Sequence, residues 1–279
     1  MTADQPTTDL MVPAAEQLAE YRTATVLTLS YDGALFSGFA CQPSVETVQG
    51  HLEAALATVC RREVAVVGAG RTDTGVHALG QVVSFPSAHA DPEGLALLRS
   101  LNALVGPGIS VSEVRRATQG FSARFDAVSR EYRFRVANGP VPPLFLRNVA
   151  WWVKKPLDIS AMSEAASVLV GEHDFRSFCI ADSARGKRTV RNLREVEITE
   201  EEHLGERCVV VRIIGNAFLH SMVRTVVGSL VEVGVGRQPV SWMSSVLAAQ
   251  DRAAAGPTAP ALGLTLWSVE YPPRCWLPE

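Results

Sequence analysis

Apolar and polar residues alternate along several short segments of the chain, and this pattern predicts β-strands. Strands are predicted at about residues 24–31, 64–67, 81–85, 109–116, 132–136, 194–199, 208–214 and 263–271. Apolar residues at helical spacing predict helices at 47–60, 95–104, 159–169, 219–233 and 241–249. The helix at 219–233 has the most continuous apolar face, formed by Leu219, Met222, Val223, Val226, Val227 and Leu230.

The order of these elements predicts an α+β fold, because several strands follow one another with no helix between them. We expect two similar α/β halves with antiparallel sheets. A proline-rich segment at 141–144 is the natural boundary, since elements recur in a similar order on either side of it. We therefore predict a flexible acidic extension at 1–22, an N-terminal half at 23–140 and a C-terminal half at 141–279.

Composition favours a globular cytoplasmic protein. Hydrophobic residues make up 47% of the chain, which is enough for a substantial core. No apolar run approaches the roughly 18 residues of a membrane helix, and the N-terminus lacks the pattern of a signal peptide. The five cysteines form no C-x-x-C pair and the six histidines no H-x-x-x-H spacing. We therefore expect reduced thiols and no metal site.

The net charge of −3 is unevenly distributed along the chain. Residues 1–20 contain four acids and no base, which leaves a charge of +1 for the remainder. Arginines cluster at 115–135 and 185–194, and only three of the 26 basic residues are lysines. A general preference for arginine explains the overall ratio. The two local clusters indicate contacts with RNA phosphates, which suit the planar guanidinium.

The segment V-G-A-G-R-T-D-T-G-V-H-A-L-G-Q at 67–81 places four glycines around Arg71 and Asp73. It is not a dinucleotide fingerprint, because Asp73 occupies the third glycine position. It is not a phosphate loop either, because Val and His77 follow where Lys and a hydroxyl are needed. The loop therefore displays a carboxylate, with Arg71 placed to hold it ionised. Two alternatives are a purely structural turn and a metal site built on Asp73 and His77, for which further ligands are not evident.

Six segments together resemble the tRNA pseudouridine synthase A family, in the same order and over about residues 23–271. Six such motifs in register make the resemblance specific. They are G-A-G-R-T-D-T-G-V-H-A-L-G-Q-V-V at 68–83, Y-D-G-A-L-F-S-G-F-A-C-Q at 31–42 followed by T-V-Q-G, F-S-A-R-F-D-A-V-S-R-E-Y-R-F at 121–134, G-E-H-D-F-R-S-F at 171–178, N-A-F-L-H-S-M-V-R-T-V-V-G-S-L at 216–230, and G-P-T-A-P-A-L-G-L-T-L at 256–266.

The resemblance implies an enzyme that converts uridine to pseudouridine at positions 38, 39 and 40 of the tRNA anticodon stem-loop, without a cofactor. It implies a homodimer with the tRNA lying across both subunits, and two halves that join their sheets across a central cleft. Asp73 is then the catalytic nucleophile, with Arg71 and Arg224 beside it. The residues assigned to substrate binding are Tyr132, His77, His220 and Arg124.

Two positions depart from the family's pattern. Thr74 replaces the usual alanine after the nucleophile, and Cys41 replaces an arginine of the first motif. We hypothesise that a nearby base such as Arg61 compensates for that lost arginine.

Two other classes of protein are weighed against the enzyme. A non-catalytic RNA-binding module predicts exposed aromatic residues on a sheet, yet only 7% of residues are aromatic and no RNP-like run occurs. A glycoside hydrolase needs two facing carboxylates, and the motifs offer only Asp73, since Asp32, Asp126 and Asp174 are in turn or surface contexts.

Overall fold

The computed structural model describes residues 23–88, 90–180 and 185–278. The predicted extension at 1–22 lies outside the described residues. The strands are β1 (Thr23–Tyr31), β2 (Val67–Gly68), β3 (His77–Ser87), β4 (Ile109–Thr118), β5 (Ser129–Asn138), β6 (Trp151–Val153), β7 (Gly171–Asp174), β8 (Val190–His203), β9 (Glu206–Gly215) and β10 (Leu264–Glu270). The α-helices are α1 (Val48–Cys60), α2 (Gly94–Leu104), α3 (Ile159–Ser167), α4 (Met222–Gly234) and α5 (Trp242–Ala249).

Each long predicted element is present, with differences at the ends that have local causes. Helix α1 begins after Thr47, whose hydroxyl accepts a hydrogen bond from the Gly50 amide and so caps the first turn. Helix α4 begins later than predicted, because Ser221 adopts a left-handed conformation with φ 58°. The predicted strand at 64–67 is reduced to β2. The two strands that were not predicted, β6 and β7, are too short for alternation to be visible.

All ten strands belong to one sheet, with the main order β4-β1-β3-β10-β5-β9-β8-β7. Pairing is antiparallel except between β3 and β10 and between β5 and β6. Strand β10 comes from the end of the chain, yet it lies between β3 and β5. The α+β class is therefore confirmed, and within the described residues the sheet runs from one half into the other. The division of the chain at residue 140 stays a prediction.

The core lies on the face of the sheet that the helices cover. Side chains alternate along β5, so that Tyr132, Phe134 and Val136 are buried on this face while Arg133 and Arg135 are only half-buried. One hydrophobic cluster joins these residues to α1 and α2 on one side and to α3 and α4 on the other. In the described part of the chain, no helix is long and apolar enough to cross a membrane.

Gly228 in α4 makes the closest backbone approach to a neighbouring segment. A β-carbon here would lie 1.8 Å from the carbonyl oxygen of Pro257. Alanine normally stabilises a helix interior by about 1 kcal/mol over glycine, but Gly228→Ala is expected to lower the free energy of unfolding by about 1–3 kcal/mol. Chemical denaturation measures this.

The matched variant Gly50→Ala in α1 places its β-carbon 3.0 Å from the Thr47 hydroxyl, and it is expected to change stability by less than about 1 kcal/mol. Equal effects of the two variants would contradict the packing argument.

Candidate active site

The loop that carries Asp73 connects β2 to β3 and is fixed by the first motif of the sequence. The Phe39 amide donates to the carbonyl of Thr72 at 3.1 Å, and the Thr72 hydroxyl is 2.8 Å from the hydroxyl of Tyr31. The Gly75 amide donates to the carbonyl of Gly33 at 3.2 Å. Hydrogen bonds of Thr72 and Gly75 therefore fix the backbone on both sides of Asp73.

The glycines of the first motif permit this close approach. A β-carbon at Gly33 would lie 2.1 Å from the carbonyl oxygen of Val76. Gly38 has φ 95°, and a β-carbon there would lie 3.0 Å from the carbonyl oxygen of Thr72. Larger residues at these positions would push the segment at 33–38 away from the Asp73 loop.

Three side chains, two from the segment between β9 and α4 and one from the first turn of α4, converge on the Asp73 carboxylate. Arg224 Nη1 donates to Oδ2 at 3.1 Å, and the Ser221 hydroxyl donates to the same oxygen at 3.2 Å. The Nε2 atom of His220 lies 3.3 Å from Oδ1. The Asp73 side chain keeps 31% of its surface exposed, so it is fixed in position yet accessible to a substrate.

Arg224 is itself held by a second contact. Its Nε donates to the carbonyl of Ala259 at 2.8 Å, and the Ala259 amide donates back to the carbonyl of Arg224 at 3.1 Å. Only 19% of the Arg224 side chain is exposed. One nitrogen of the planar guanidinium bonds the segment before β10, and another bonds Asp73. A lysine has a single nitrogen and could not make both contacts in this geometry.

Tyr132 lies in the centre of β5, close to the loop that carries Asp73. Its side chain is buried and stands edge-to-face on Phe218, with ring centres 5.0 Å apart. Gly70 lies close to the phenol, since a β-carbon there would be 3.7 Å from the hydroxyl oxygen. Burial raises the pKa of Tyr132, so the phenol keeps its proton at neutral pH. Among the described residues this hydroxyl has no hydrogen-bond partner.

The other predicted site residues lie in different surroundings. Arg71 is exposed and forms no ion pair with the described residues, so Asp73 pairs with Arg224 and not with Arg71. His77 is buried; its Nδ1 accepts from the Gly33 amide at 3.2 Å, and its Nε2 is 3.2 Å from the carbonyl oxygen of Asn148. His77 therefore connects backbone segments. Its assignment to substrate binding, like the role of Arg71, stays a prediction.

Sequence reasoning missed two residues that shape the site. Ser221 contacts Asp73 directly, and its position between His220 and the helix was the available signal. Arg130 is buried and donates to four backbone carbonyls, and burial is the main cause that lowers the pKa of its guanidinium. No pattern in the sequence distinguishes Arg130 from the other arginines of its cluster.

The two arginine clusters are used differently. In the cluster at 115–135, Arg116 pairs with Glu93 and Arg133 pairs with Glu131, so part of its charge is neutralised. In the cluster at 185–194, Lys187 and Arg188 are exposed and form no ion pair within the described ranges. The second cluster therefore presents more free positive charge at the surface.

Cys41 occupies the position of the family's arginine. It is exposed, and its Sγ lies 3.5 Å from a carboxylate oxygen of Glu53 in α1. Arg61 follows the C-terminal end of the same helix, which is about 12 Å further along the axis from Glu53. That Arg61 or another nearby base compensates for the lost arginine stays a prediction.

The donor set around Asp73 consists of a guanidinium, an imidazole and a hydroxyl. Within the described ranges, no group of three His, Cys, Asp or Glu side chains is arranged to hold a metal ion. The groups that contact the Asp73 carboxylate include no second carboxylate. The arrangement suits a single carboxylate that acts on a substrate as a nucleophile or as a base.

Comparison with known proteins agrees with this geometry. A family profile described as tRNA pseudouridine synthase matches residues 28–116 and 165–272. The tRNA pseudouridine synthase A of Brevibacillus brevis is 46% identical over 245 residues, which cover 87% of this chain and 97% of that protein. The tRNA pseudouridine synthase A of Pseudomonas aeruginosa is 42% identical over 273 residues, which cover 97% and 94%.

The α+β fold, the carboxylate that Arg224 holds and the family match together define a pseudouridine synthase. A protein of this class is an isomerase and not a non-catalytic RNA-binding module. Within that class, the chain belongs to the tRNA pseudouridine synthase family.

Proposed function

We propose that this protein converts uridine to pseudouridine at positions 38, 39 and 40 of the tRNA anticodon stem-loop, with Asp73 as the nucleophile. The observation that carries the proposal is the Asp73 carboxylate, which Arg224, Ser221 and His220 hold while it stays partly exposed. We place the enzyme in the cytoplasm, where tRNA is modified.

The reaction breaks the bond between N1 of uracil and C1′ of ribose, rotates the base, and forms a bond from C5 to C1′. N1 gains a proton and C5 loses one, so the product is an isomer and no redox cofactor is needed. Asp73 acts at C1′, at C6 of the base, or on the 2′ proton; each of these roles requires an ionised, fixed carboxylate. The contact with Arg224 fixes the carboxylate in position through a charge-assisted hydrogen bond.

The target base must leave the RNA stack to reach Asp73, which costs a few kcal/mol. Tyr132 offers an aromatic surface for the extruded uracil. Its neutral phenol, which has no partner among the described residues, can take up the C5 proton only as it passes its own proton to a base, for which the Asp73 carboxylate is the candidate. Arg71, exposed beside the nucleophile, is suited to an RNA phosphate or to the space that the base vacates.

Recognition by shape and phosphate explains how one site accepts three adjacent uridines. The exposed Lys187 and Arg188 are candidates for backbone contacts. We further propose that the enzyme is a homodimer and that one tRNA contacts both subunits.

The direct test measures tritium release from tRNA that carries [5-³H]uridine, because C5 loses its hydrogen when pseudouridine forms. Modified positions are then mapped by sequencing after chemical derivatisation of pseudouridine. We expect release from transcripts with uridine at 38, 39 or 40, and none when all three are replaced. Release from free uridine would indicate a nucleoside enzyme. Binding of tRNA without release would leave only a binding protein.

Tyr132→Phe tests the phenol separately from the ring. The variant keeps the aromatic contact with Phe218 and is expected to bind tRNA normally. If the hydroxyl assists proton removal, the rate of a single turnover falls about 10²-fold or more. Tyr271→Phe is the matched control, since the Tyr271 hydroxyl donates to the carbonyl of Ala123 at 2.6 Å; it is expected to alter stability and not the chemical rate. An unchanged rate in Tyr132→Phe would limit Tyr132 to stacking.

A further inference from the structure

The segment at 122–128, here called the 122–128 loop, joins β4 to β5 and exposes an aromatic side chain at its tip. Phe125 is 79% exposed, the highest value among the large apolar side chains of the described residues. The guanidinium carbon of Arg124 lies 5.5 Å from the centre of the Phe125 ring. Arg124 is also exposed and forms no ion pair within the described ranges.

The exposure of Phe125 is not the result of a loose loop. The Ser122 amide donates to the Asp126 carboxylate at 2.8 Å, and the Asp126 amide donates to the Ser122 carbonyl at 3.1 Å. The hydroxyl of Tyr271 donates to the carbonyl of Ala123 at 2.6 Å. These bonds hold the Phe125 ring in water beside the exposed guanidinium of Arg124.

Arg130 connects the 122–128 loop to the catalytic loop. A single nitrogen, Nη2, donates to the carbonyl of Arg124 at 2.7 Å and to the carbonyl of Ala69 at 3.0 Å. The other terminal nitrogen donates to the carbonyl of Asn216 at 2.7 Å, at the start of the segment that leads to Ser221. The Arg130 guanidinium therefore links the backbone next to Phe125 to both segments that build the Asp73 site.

We propose that Arg124 and Phe125 form a binding site for an unpaired nucleotide of the RNA, next to the target uridine. The base stacks on the Phe125 ring, and Arg124 contacts the adjoining phosphate or the base. Stacking on an aromatic ring tolerates any base, which suits a site beside a target that occurs at several positions. A protein partner at this place would compete with the RNA that must reach Asp73. The inference rests on the proposed function only in taking RNA as the substrate.

The test measures binding of a fluorescently labelled anticodon stem-loop RNA by anisotropy, in an Asp73→Asn background where no turnover occurs. Phe125→Ala and Phe125→Leu are expected to weaken binding about 5- to 100-fold, because neither side chain stacks. Phe125→Trp is expected to bind as tightly as the parent or more tightly. Leu95→Ala is the matched control: Leu95 is 67% exposed and lies on α2, where it is expected to have no effect.

Several results would overturn the proposal. One is unchanged affinity in Phe125→Ala. Another is full rescue by Leu, which would indicate an apolar contact without stacking. A third is a change of oligomeric state in Phe125→Ala on sedimentation, which would make the loop an interface between protein chains. The binding assay uses a variant that does not turn over. A failure of the Phe125 proposal is therefore distinguished from a failure of the proposed isomerisation, which is measured by tritium release from the wild-type enzyme.

Discussion

Asp73→Asn is expected to abolish pseudouridine formation while the fold and RNA binding remain. Asparagine has nearly the same shape, and it can still accept from Arg224 and Ser221 through its amide oxygen, so the loop keeps its geometry. The amide cannot act as a nucleophile or as a base, and we expect the rate to fall by at least about 10³-fold. Tritium release under single-turnover conditions measures this, and anisotropy with the stem-loop RNA measures binding.

Two further variants make this result interpretable. Asp73→Ala guards against residual activity from slow deamidation of the asparagine back to aspartate. Asp158→Asn is the matched control, because Asp158 caps α3 by accepting from the Ala161 amide and asparagine caps equally well. Full activity is expected for it. If Asp73→Asn and Asp73→Ala both keep more than a tenth of the activity, the carboxylate is not the nucleophile.

Arg224→Met is expected to lower kcat about 10²- to 10³-fold, the usual cost of removing one fixed electrostatic partner from an active site. The variant removes the 3.1 Å contact to Asp73 and the 2.8 Å contact to Ala259 together. Arg224→Lys keeps the charge but cannot make both contacts, so we expect an intermediate loss. The measurement is the separation of kcat from KM on tRNA, with KM changing less than kcat.

Arg237 provides the matched control at the other end of the same helix. It forms an exposed ion pair with Glu232, and such pairs contribute little. Arg237→Met is therefore expected to leave kcat within about twofold. In the double variant Asp73→Asn and Arg224→Met, the two losses are expected not to add, because Arg224 acts through Asp73. Additive losses would mean that Arg224 works independently of the carboxylate.

The predicted elements were correct where periodicity is long. The apolar stripe of α1 runs from Val48 to Val59 and the alternation of β5 from Arg130 to Val136, enough to distinguish a 3.6-residue from a 2-residue period. Prediction failed where three or four residues pair only because a longer neighbour is present, as in β6 and β7. The late start of α4 depends on the conformation of Ser221, which local propensity does not encode.

The sequence predicted most of the residues that form the site, but only some of the contacts between them. Asp73, Arg224 and His220 were named from motifs, and the structure brings all three together. Arg71 was expected to hold the carboxylate because it is two positions away in the chain. A short separation in sequence does not place two side chains together in a loop, and the observed partner of Asp73 is Arg224 on helix α4.

Local patterns and contiguous motifs in the sequence were sufficient to predict the family, the α+β class, the loop that carries Asp73 and the apolar faces. The three-dimensional fold was needed to show that Ser221 joins Arg224 at Asp73 while Arg71 does not, that Arg130 links three loops, and that Phe125 is exposed near the Asp73 loop. These are contacts between segments that lie far apart in the chain, and they depend on the placement of β10 between β3 and β5. Such placement follows from how all the elements bury their apolar faces together, which no single segment specifies.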